Sequence, residues 1–391
     1  MVIRRVVASV AQRQVRHVRP VSEQSALGTV ATVYAQCTEE MRLVIPPVLL
    51  HSPAPETLSA FWMLMREPLL VVGTVDRVAK EAVAAGVSVA NICPYCVDMH
   101  STGLYPQAGE HDAEAVVADR PQAMTDPRLR ALVEWARSAH LPDAPTPVPF
   151  TEAQRPELVG VVVAFHYLTR MVNVFLTSFL LPPGLTPAAR RRFKHVVGRQ
   201  LDPTLRAAPV PGRSLSLLPA AALPADAGWA AGDPTVAQAA ARSYAALAAA
   251  GERCLSAPVR HLVEERLTSW RGEETGLSRQ WCEDLIAPLS PPDQAAARLA
   301  LLTALASYQV DNETVAEFRR HHPGDRTLIE AAAWASFTAA RRVGAWHVPT
   351  DPALPGAPSP APPGAPSSAR PGAPSSARPG APSSGRHART G

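Results

Sequence analysis

The sequence predicts an all-α protein, on three observations. Hydrophobic residues make up 47% of the 391-residue chain but aromatic residues only 5%, and Ala, Val and Leu dominate. That composition suits helix packing better than a β-sandwich, which calls for aromatic and Thr-rich alternation. Apolar residues recur at helical spacing, as in Val75, Val78, Ala82 and Ala85. Helix-start signals precede such runs: Asp126 before PRLRALVEWARSAH, and Thr151 with Gln154 in capping-box register.

Taken in order, residues 1–20 alternate Val with Arg and suit a basic amphipathic helix, an arm packed on its own domain rather than on a membrane. Residues 24–50 carry a helical pattern through Leu27, Val30, Val33 and Tyr34 that ends at the Pro46–Pro47 breaker. Pro53 and Pro55 open the next helix, through Phe61, Trp62 and Leu64. A helix over 74–87 bears Glu81 on the border of its apolar stripe, where a half-buried carboxyl should have a raised pKa. Asn91 or Ile92, followed by Cys93 and Pro94, reads as the start of a helix reaching about Leu104. Helices over 126–140 and 151–181 follow. Leu158 to Leu181, within the second of these, is the nearest thing to a membrane span, but it contains His166, Arg170 and Asn173, so a buried helix pair is the better reading.

Residues 201–235, rich in Pro, Ala and Gly, read as a linker or long draping loop. From 236 to about 347 the pattern repeats faintly, Val259–Glu265 matching Val75–Glu81. With Glu265 set on Glu81, the cysteine positions become Leu277 and Gln280 and the histidine Asp284, a second copy without its chemistry. Three PGAPSS(A/G)R units lie in 363–386, and the tail 351–391 is expected to be disordered. The domain scheme is therefore an arm 1–20, a catalytic domain 21–200, a linker 201–235, a degenerate helical domain 236–350 and the tail.

The net charge is +4, yet the arm and the tail hold more than that, which leaves residues 21–350 mildly acidic and argues against a nucleic-acid partner. Five cysteines, irregularly placed, do not make a disulfide framework; one close pair beside scattered single cysteines suits a reducing compartment. No apolar stretch of signal-peptide type follows the N-terminal arginines, and the expected location is the cytoplasm.

The chemistry gathers at Cys93-Pro94-Tyr95-Cys96-Val97-Asp98-Met99-His100. Two cysteines separated by two residues can cycle between dithiol and disulfide. On one helix, Cys93, Cys96 and His100 share a face, and a thiol in the first turn should have a lowered pKa from the helix dipole. His100 is placed to carry a proton, and Glu81 to join it in a relay. A glutaredoxin also carries Cys-Pro-Tyr-Cys, but it needs a strand before the first cysteine, and Lys80–Gly86 reads as helix. A zinc site would need a fourth ligand from His111, Asp98 or another chain. Neither a metal nor an organic cofactor is expected. Cys37, Cys254 and Cys282 read as small core fillers, His166 as a core histidine, and Arg170 as a partner of a buried carboxylate or a helix end.

Glu81, an eleven-residue gap, then Cys93-x-x-Cys96-x-x-x-His100 resembles the alkylhydroperoxidase D-like branch of the carboxymuconolactone decarboxylase family, an all-helical family. Phe165-His166-Tyr167-x-x-Arg170 is similar to a segment in a later family helix. The resemblance implies a dithiol-dependent peroxidase acting on organic hydroperoxides. Cys96 would attack the peroxide and Cys93 would resolve the product to a disulfide, with Glu81 and His100 moving the proton through a water. A lipoyl-bearing or thioredoxin-like protein would be the reductant, and the chain would form homo-oligomers. Tyr95 departs from the His that precedes the second cysteine in well-known peroxidase members. A lactone decarboxylase using Glu81 and His100 without the thiols, or a redox-responsive binding protein, are the alternative functions.

Overall fold

The computed structural model describes residues 12–178, 180–181 and 184–349. The tail 351–391 and the first eleven residues of the arm lie outside them. Among the described residues the architecture is helical, with a single isolated bridge, Val15 to Leu176, and no named strand.

Fifteen helices are used below: α1 Gly28–Met41, α2 Pro46–His51, α3 Pro55–Met65, α4 Arg77–Ala90, α5 Pro94–Ala108, α6 Glu110–Val117, α7 Pro127–Ser138, α8 Arg155–Phe175, α9 Pro187–Leu205, α10 Pro234–Cys254, α11 Ala257–Ser269, α12 Gln280–Ile286, α13 Pro291–Leu305, α14 Asn312–His321 and α15 Asp325–Ala345. The axis of the fold is α8. From Pro156 to Phe175 every residue but Asn173 is buried, because α4 and α3 pack on it together with α15 from the C-terminal half. It is long and apolar enough to cross a membrane, and its apolar surface is covered by these helices.

The helix signals hold where caps are local. Asp76 caps α4 by accepting from the Ala79 amide, and Asp126 caps α7 by accepting from the amides of Arg128 and Leu129. Thr151 and Gln154 form the capping box ahead of α8. Three local expectations are corrected. Pro46 and Pro47 end no helix: α1 stops at Met41, with Arg42 left-handed, and the two prolines open α2 in its first turn, where a missing N–H costs nothing. Asn91 ends α4 rather than capping α5, and Ile92 turns the chain with φ 51°, so that Cys93 itself becomes the N-cap of α5. Residues 14–19 of the arm are not helical. They form a strap along the end of α8, where the Arg16 amide donates to Phe175 O at 2.7 Å and the Thr177 amide to Gln14 O at 3.0 Å.

The stretch read as a linker begins with the end of α9 and later forms a short 3₁₀ turn, Ala225–Ala230, that buries Trp229. Helices α10 and α15 pack together and against α3 and α8, so residues 236–349 contribute to the same hydrophobic core. Leu277, one position aligned with a cysteine, is exposed between α11 and α12, and Gln280 is exposed at the start of α12. The α10–α15 contact depends on Gly251, where an added Cβ would fall 2.2 Å from Cδ1 of the buried Trp334 ring. Gly251→Ala is therefore expected to destabilise the fold by about 1–3 kcal/mol through overpacking. Urea denaturation should show a lower midpoint with an unchanged slope.

Buried ion pairs fix the start of α4. Lys80 donates to Val71 O at 2.6 Å and pairs with Glu157 of α8. Glu157 Oε1 also accepts from the Thr74 amide and hydroxyl, each at 2.6 Å. The loop before α4 is thus tied to the central helix, and the rotation of α4, which aims Glu81, is set by that tie.

Candidate active site

The joint between α4 and α5 brings the predicted residues together. The Cys93 amide donates to Ser88 O at 3.0 Å, and the Asn173 amide of α8 donates to Asn91 O at 3.2 Å. Held this way, α5 lies along α4 with Cys96 and His100 one turn apart on the face toward Glu81. Cys93 and Cys96 are both buried, both free thiols, and in side-chain hydrogen-bonding contact with each other.

Glu81 and His100 are in direct contact: Nδ1 of His100 donates to Oε2 of Glu81 at 2.6 Å. The water expected between them is not needed. The other carboxylate oxygen, Oε1, accepts from Nε of Arg77 at 2.7 Å, an i, i+4 pair on α4. The expectation of a half-buried Glu81 with a raised pKa is therefore corrected. Glu81 is only 3% exposed. Burial alone would push its carboxyl up, but the charge and hydrogen bonds of Arg77 and His100 override it and bring the pKa down to about 2. Arg77 is the site residue that sequence reasoning passed over, although its i, i+4 spacing to Glu81 was visible.

The sign of the pH effect follows. The folded pKa of Glu81 lies below that of an unfolded glutamate, so the stabilisation is complete above about pH 5 and is lost as pH falls toward 2. A shift of this size is worth on the order of 3 kcal/mol. Acid titration of stability should therefore be less steep between pH 5 and 2 in Glu81→Gln than in the wild type.

The thiol expectation is corrected in the opposite sense. Burial, followed by the hydrogen bond and charge of Cys93, pushes the Cys96 thiol well above its ordinary value. Burial outweighs the helix terminus, so at rest Cys96 carries its proton and needs a base when it reacts. In Cys93→Ser protein, alkylation of Cys96 by iodoacetamide should run slower at pH 7 than for a free cysteine and climb steeply as pH rises past 9.

Cys96, His100, Glu81, Arg77 and Tyr95 all line one cavity of about 220 Å³. Its remaining wall is apolar, built by Met41, Met65, Met99 and Leu69 and closed by Val197 and Leu201 of α9. Phe165 meets the His100 ring edge-on, with centroids 4.6 Å apart, and limits its rotation. Gly103 leaves room for the carboxylate, since a Cβ there would come within 3.4 Å of Glu81 Oε2. The Tyr95 hydroxyl donates to Gln14 Oε1 at 2.7 Å, which ties the cysteine loop to the arm. Cys93 does not line this cavity. It borders a separate surface depression with Pro94, Val97 and Arg190.

The fourth ligands considered for a metal are engaged elsewhere. His111 pairs with Ala123 O at 2.8 Å, and Asp98 sits 3.0 Å from the Lys194 ammonium. Among the described residues no group of three or more His, Cys, Asp or Glu side chains is arranged to hold a metal ion.

Comparison with known proteins adds three findings. The model of the carboxymuconolactone decarboxylase family matches residues 56–138, a span that holds Glu81, both cysteines of the pair and His100. The chain is 39% identical over 334 residues to an alkyl hydroperoxide reductase of Mycobacterium tuberculosis, covering 85% of this chain and 94% of that one. Among solved structures, it is similar to the alkylhydroperoxidase core of an uncharacterized peroxidase-related protein from Ralstonia eutropha. That likeness has 20% identity and a TM-score of 0.36, over 41% of this chain and 90% of the other.

Proposed function

The chain belongs to the carboxymuconolactone decarboxylase family, in its alkylhydroperoxidase-like branch, and from that premise we propose how it works as a thiol-dependent alkyl hydroperoxide reductase. The observation that carries the reading is the Glu81–His100 hydrogen bond beside a buried, protonated Cys96 at the base of an apolar cavity.

Glu81 is an orienting group in this mechanism. Its low pKa keeps it ionised, so it holds the proton of His100 on Nδ1 and leaves Nε2 as the acceptor on the cavity side. Arg77 occupies the second carboxylate oxygen and keeps Glu81 from turning away. As a hydroperoxide ROOH enters, His100 takes the Cys96 proton and the sulfur attacks the terminal oxygen. The O–O bond breaks, the proton passes to the departing alkoxide, and the products are ROH and the Cys96 sulfenic acid. The Cys93 thiol then displaces water from that sulfenic acid and forms the Cys93–Cys96 disulfide. A dithiol reductant restores both thiols by exchange and is itself oxidised to a disulfide.

The apolar wall favours an organic R group, whose transfer from water contributes roughly 25 cal/mol per Å² buried. The depression beside Cys93 offers the disulfide a second approach, away from the peroxide cavity, and suits attack by a lipoyl-bearing or thioredoxin-like dithiol at Cys93. Tyr95, bonded to Gln14, serves as a spacer and anchor in this reading and not as a base. The cytoplasm, with its reducing pool, is the compartment that fits, and assembly into homo-oligomers belongs to the same reading.

The test is consumption of an organic hydroperoxide by the full chain with reduced lipoamide as the electron donor. Turnover that stops when lipoamide is left out, and resumes when it is restored, supports the peroxidase. Disulfide formation without catalytic consumption of peroxide contradicts it.

A further inference from the structure

A second chamber, of about 50 Å³, shares no lining residue with the cavity at Cys96. Its walls include Asn91, His140, Arg170, Thr275, Ser307 and Tyr308. Arg170 is 5% exposed. Its Nε donates to Ala304 O at 2.8 Å, and its Nη1 to His166 O at 2.5 Å. Among the described residues Nη2 has no hydrogen-bond partner, and no carboxylate forms an ion pair with this guanidinium. The carbonyl of Ala304 belongs to the last turn of α13, so the end of that helix supplies only a fraction of a negative charge. Burial without a counter-charge lowers Arg170 to about 9.

The surroundings add donors, and neither acid lining the chamber pairs with Arg170: Glu273 accepts from Arg266 and from the Arg271 amide, and Glu274 is exposed. His166 is 1% exposed, and its Nδ1 accepts from Asn91 Nδ2 at 2.9 Å and from Arg170 Nη1 at 3.2 Å. The imidazole proton therefore lies on Nε2, which is buried without a partner. His140 lies 5.9 Å from His166, ring to ring. The Thr275 hydroxyl on the chamber wall is buried and unpaired. Ser307 Oγ accepts from Asn173 at 3.0 Å, which leaves its own proton to donate. Buried charges are ordinarily paired, and buried donors ordinarily satisfied. A guanidinium edge and two hydroxyls thus line one small chamber, and among the described residues none of the three bonds a carboxylate.

We propose that this chamber binds a small monocarboxylate, its oxygens set against Nη2 of Arg170 and the hydroxyls of Thr275 and Ser307. A planar carboxylate suits the fork of a guanidinium. Size confines the ligand to a few heavy atoms. Glu273 and Glu274 at the rim disfavour a doubly charged anion such as phosphate, while Ile92, Leu305 and Trp270 accept a short apolar group. Asn173 bonds both Ser307 and the backbone of Asn91, so the site abuts the joint that sets Cys93.

The experiment is calorimetric titration of the full chain, in dilute zwitterionic buffer at pH 7.5, with sodium acetate and separately with sodium phosphate. Acetate should saturate at one site per chain, and phosphate should bind at least about tenfold more weakly. Arg170→Gln should weaken acetate binding by about tenfold or more. Should that variant fail to fold, Thr275→Val takes its place, with an expected weakening of about threefold. No saturable acetate binding, phosphate binding as tight as acetate, or acetate binding unchanged in the variant overturns the proposal. No hydroperoxide is present, so the result is independent of the peroxidase reading.

Discussion

Cys96→Ser is expected to lose at least about a thousandfold in hydroperoxide turnover, equivalent to roughly 4 kcal/mol of transition-state stabilisation. A serine hydroxyl at this position has neither the nucleophilicity of sulfur nor an oxidised state that a neighbouring thiol can reduce. Cys93→Ser should behave differently. It keeps the attacking sulfur, so it should consume about one equivalent of peroxide and stop at the sulfenic acid for want of a resolving thiol. A dimedone adduct on Cys96 in that variant, found by mass spectrometry, checks the assignment. Peroxide consumption retained in Cys96→Ser but lost in Cys93→Ser would exchange the roles of the two cysteines. A lactone decarboxylase that ignores the thiols would survive both substitutions.

The second large effect concerns the carboxylate. Glu81→Gln preserves shape but presents an amide, whose N–H can donate to His100 Nδ1 and drive the imidazole proton to Nε2. The acceptor facing the cavity is then lost, and turnover should fall by about 10²–10⁴. His100→Gln should fall within the same range. Because the two act as a unit, the double variant should be little worse than either single one. Glu81→Asp should restore part of the rate only if the shortened side chain still reaches Nδ1. A pH–rate profile separates this from plain destabilisation: without its base the enzyme should depend on hydroxide, its rate rising with pH toward the raised Cys96 pKa, while the wild type does not need that rise. Equal rates for Glu81→Gln and the wild type at neutral pH would remove the relay from the mechanism.

The parts of this site that could be read in the sequence are those written in spacing. Cys93, Cys96 and His100 share a helix, and period alone puts them on one face. Glu81 lies on the preceding helix, and its border position pointed inward. Asp76, Asp126 and the Thr151–Gln154 box marked helix starts because a cap is made by residues two or three apart.

What the sequence hid depends on tertiary contact. The helix dipole leads one to expect a lowered Cys96 pKa, but it rises, since burial is completed by α8 and α9, which lie far along the chain. The sequence leads one to expect a raised Glu81 pKa, but it falls, since His100 reaches Glu81 only in the fold and adds to Arg77, whose local i, i+4 pairing the sequence reading passes over. The α4–α5 joint was misplaced because a β-branched isoleucine gives no warning of a positive φ, and Ile92 adopts one while Asn173 holds the neighbouring carbonyl. The apolar cavity wall could not be read locally at all, as it is assembled from α1 to α3 and from α9.

One single-turnover measurement tests the central claim most directly. Fully reduced chain, freed of reductant, is mixed with a limiting amount of organic hydroperoxide; remaining peroxide, alcohol product and free thiols are then counted. The account predicts one alcohol formed and one Cys93–Cys96 disulfide gained for each peroxide lost, with Cys37, Cys254 and Cys282 still reduced. Peroxide left intact while the pair remains reduced, or alcohol formed with both thiols still free, would contradict it.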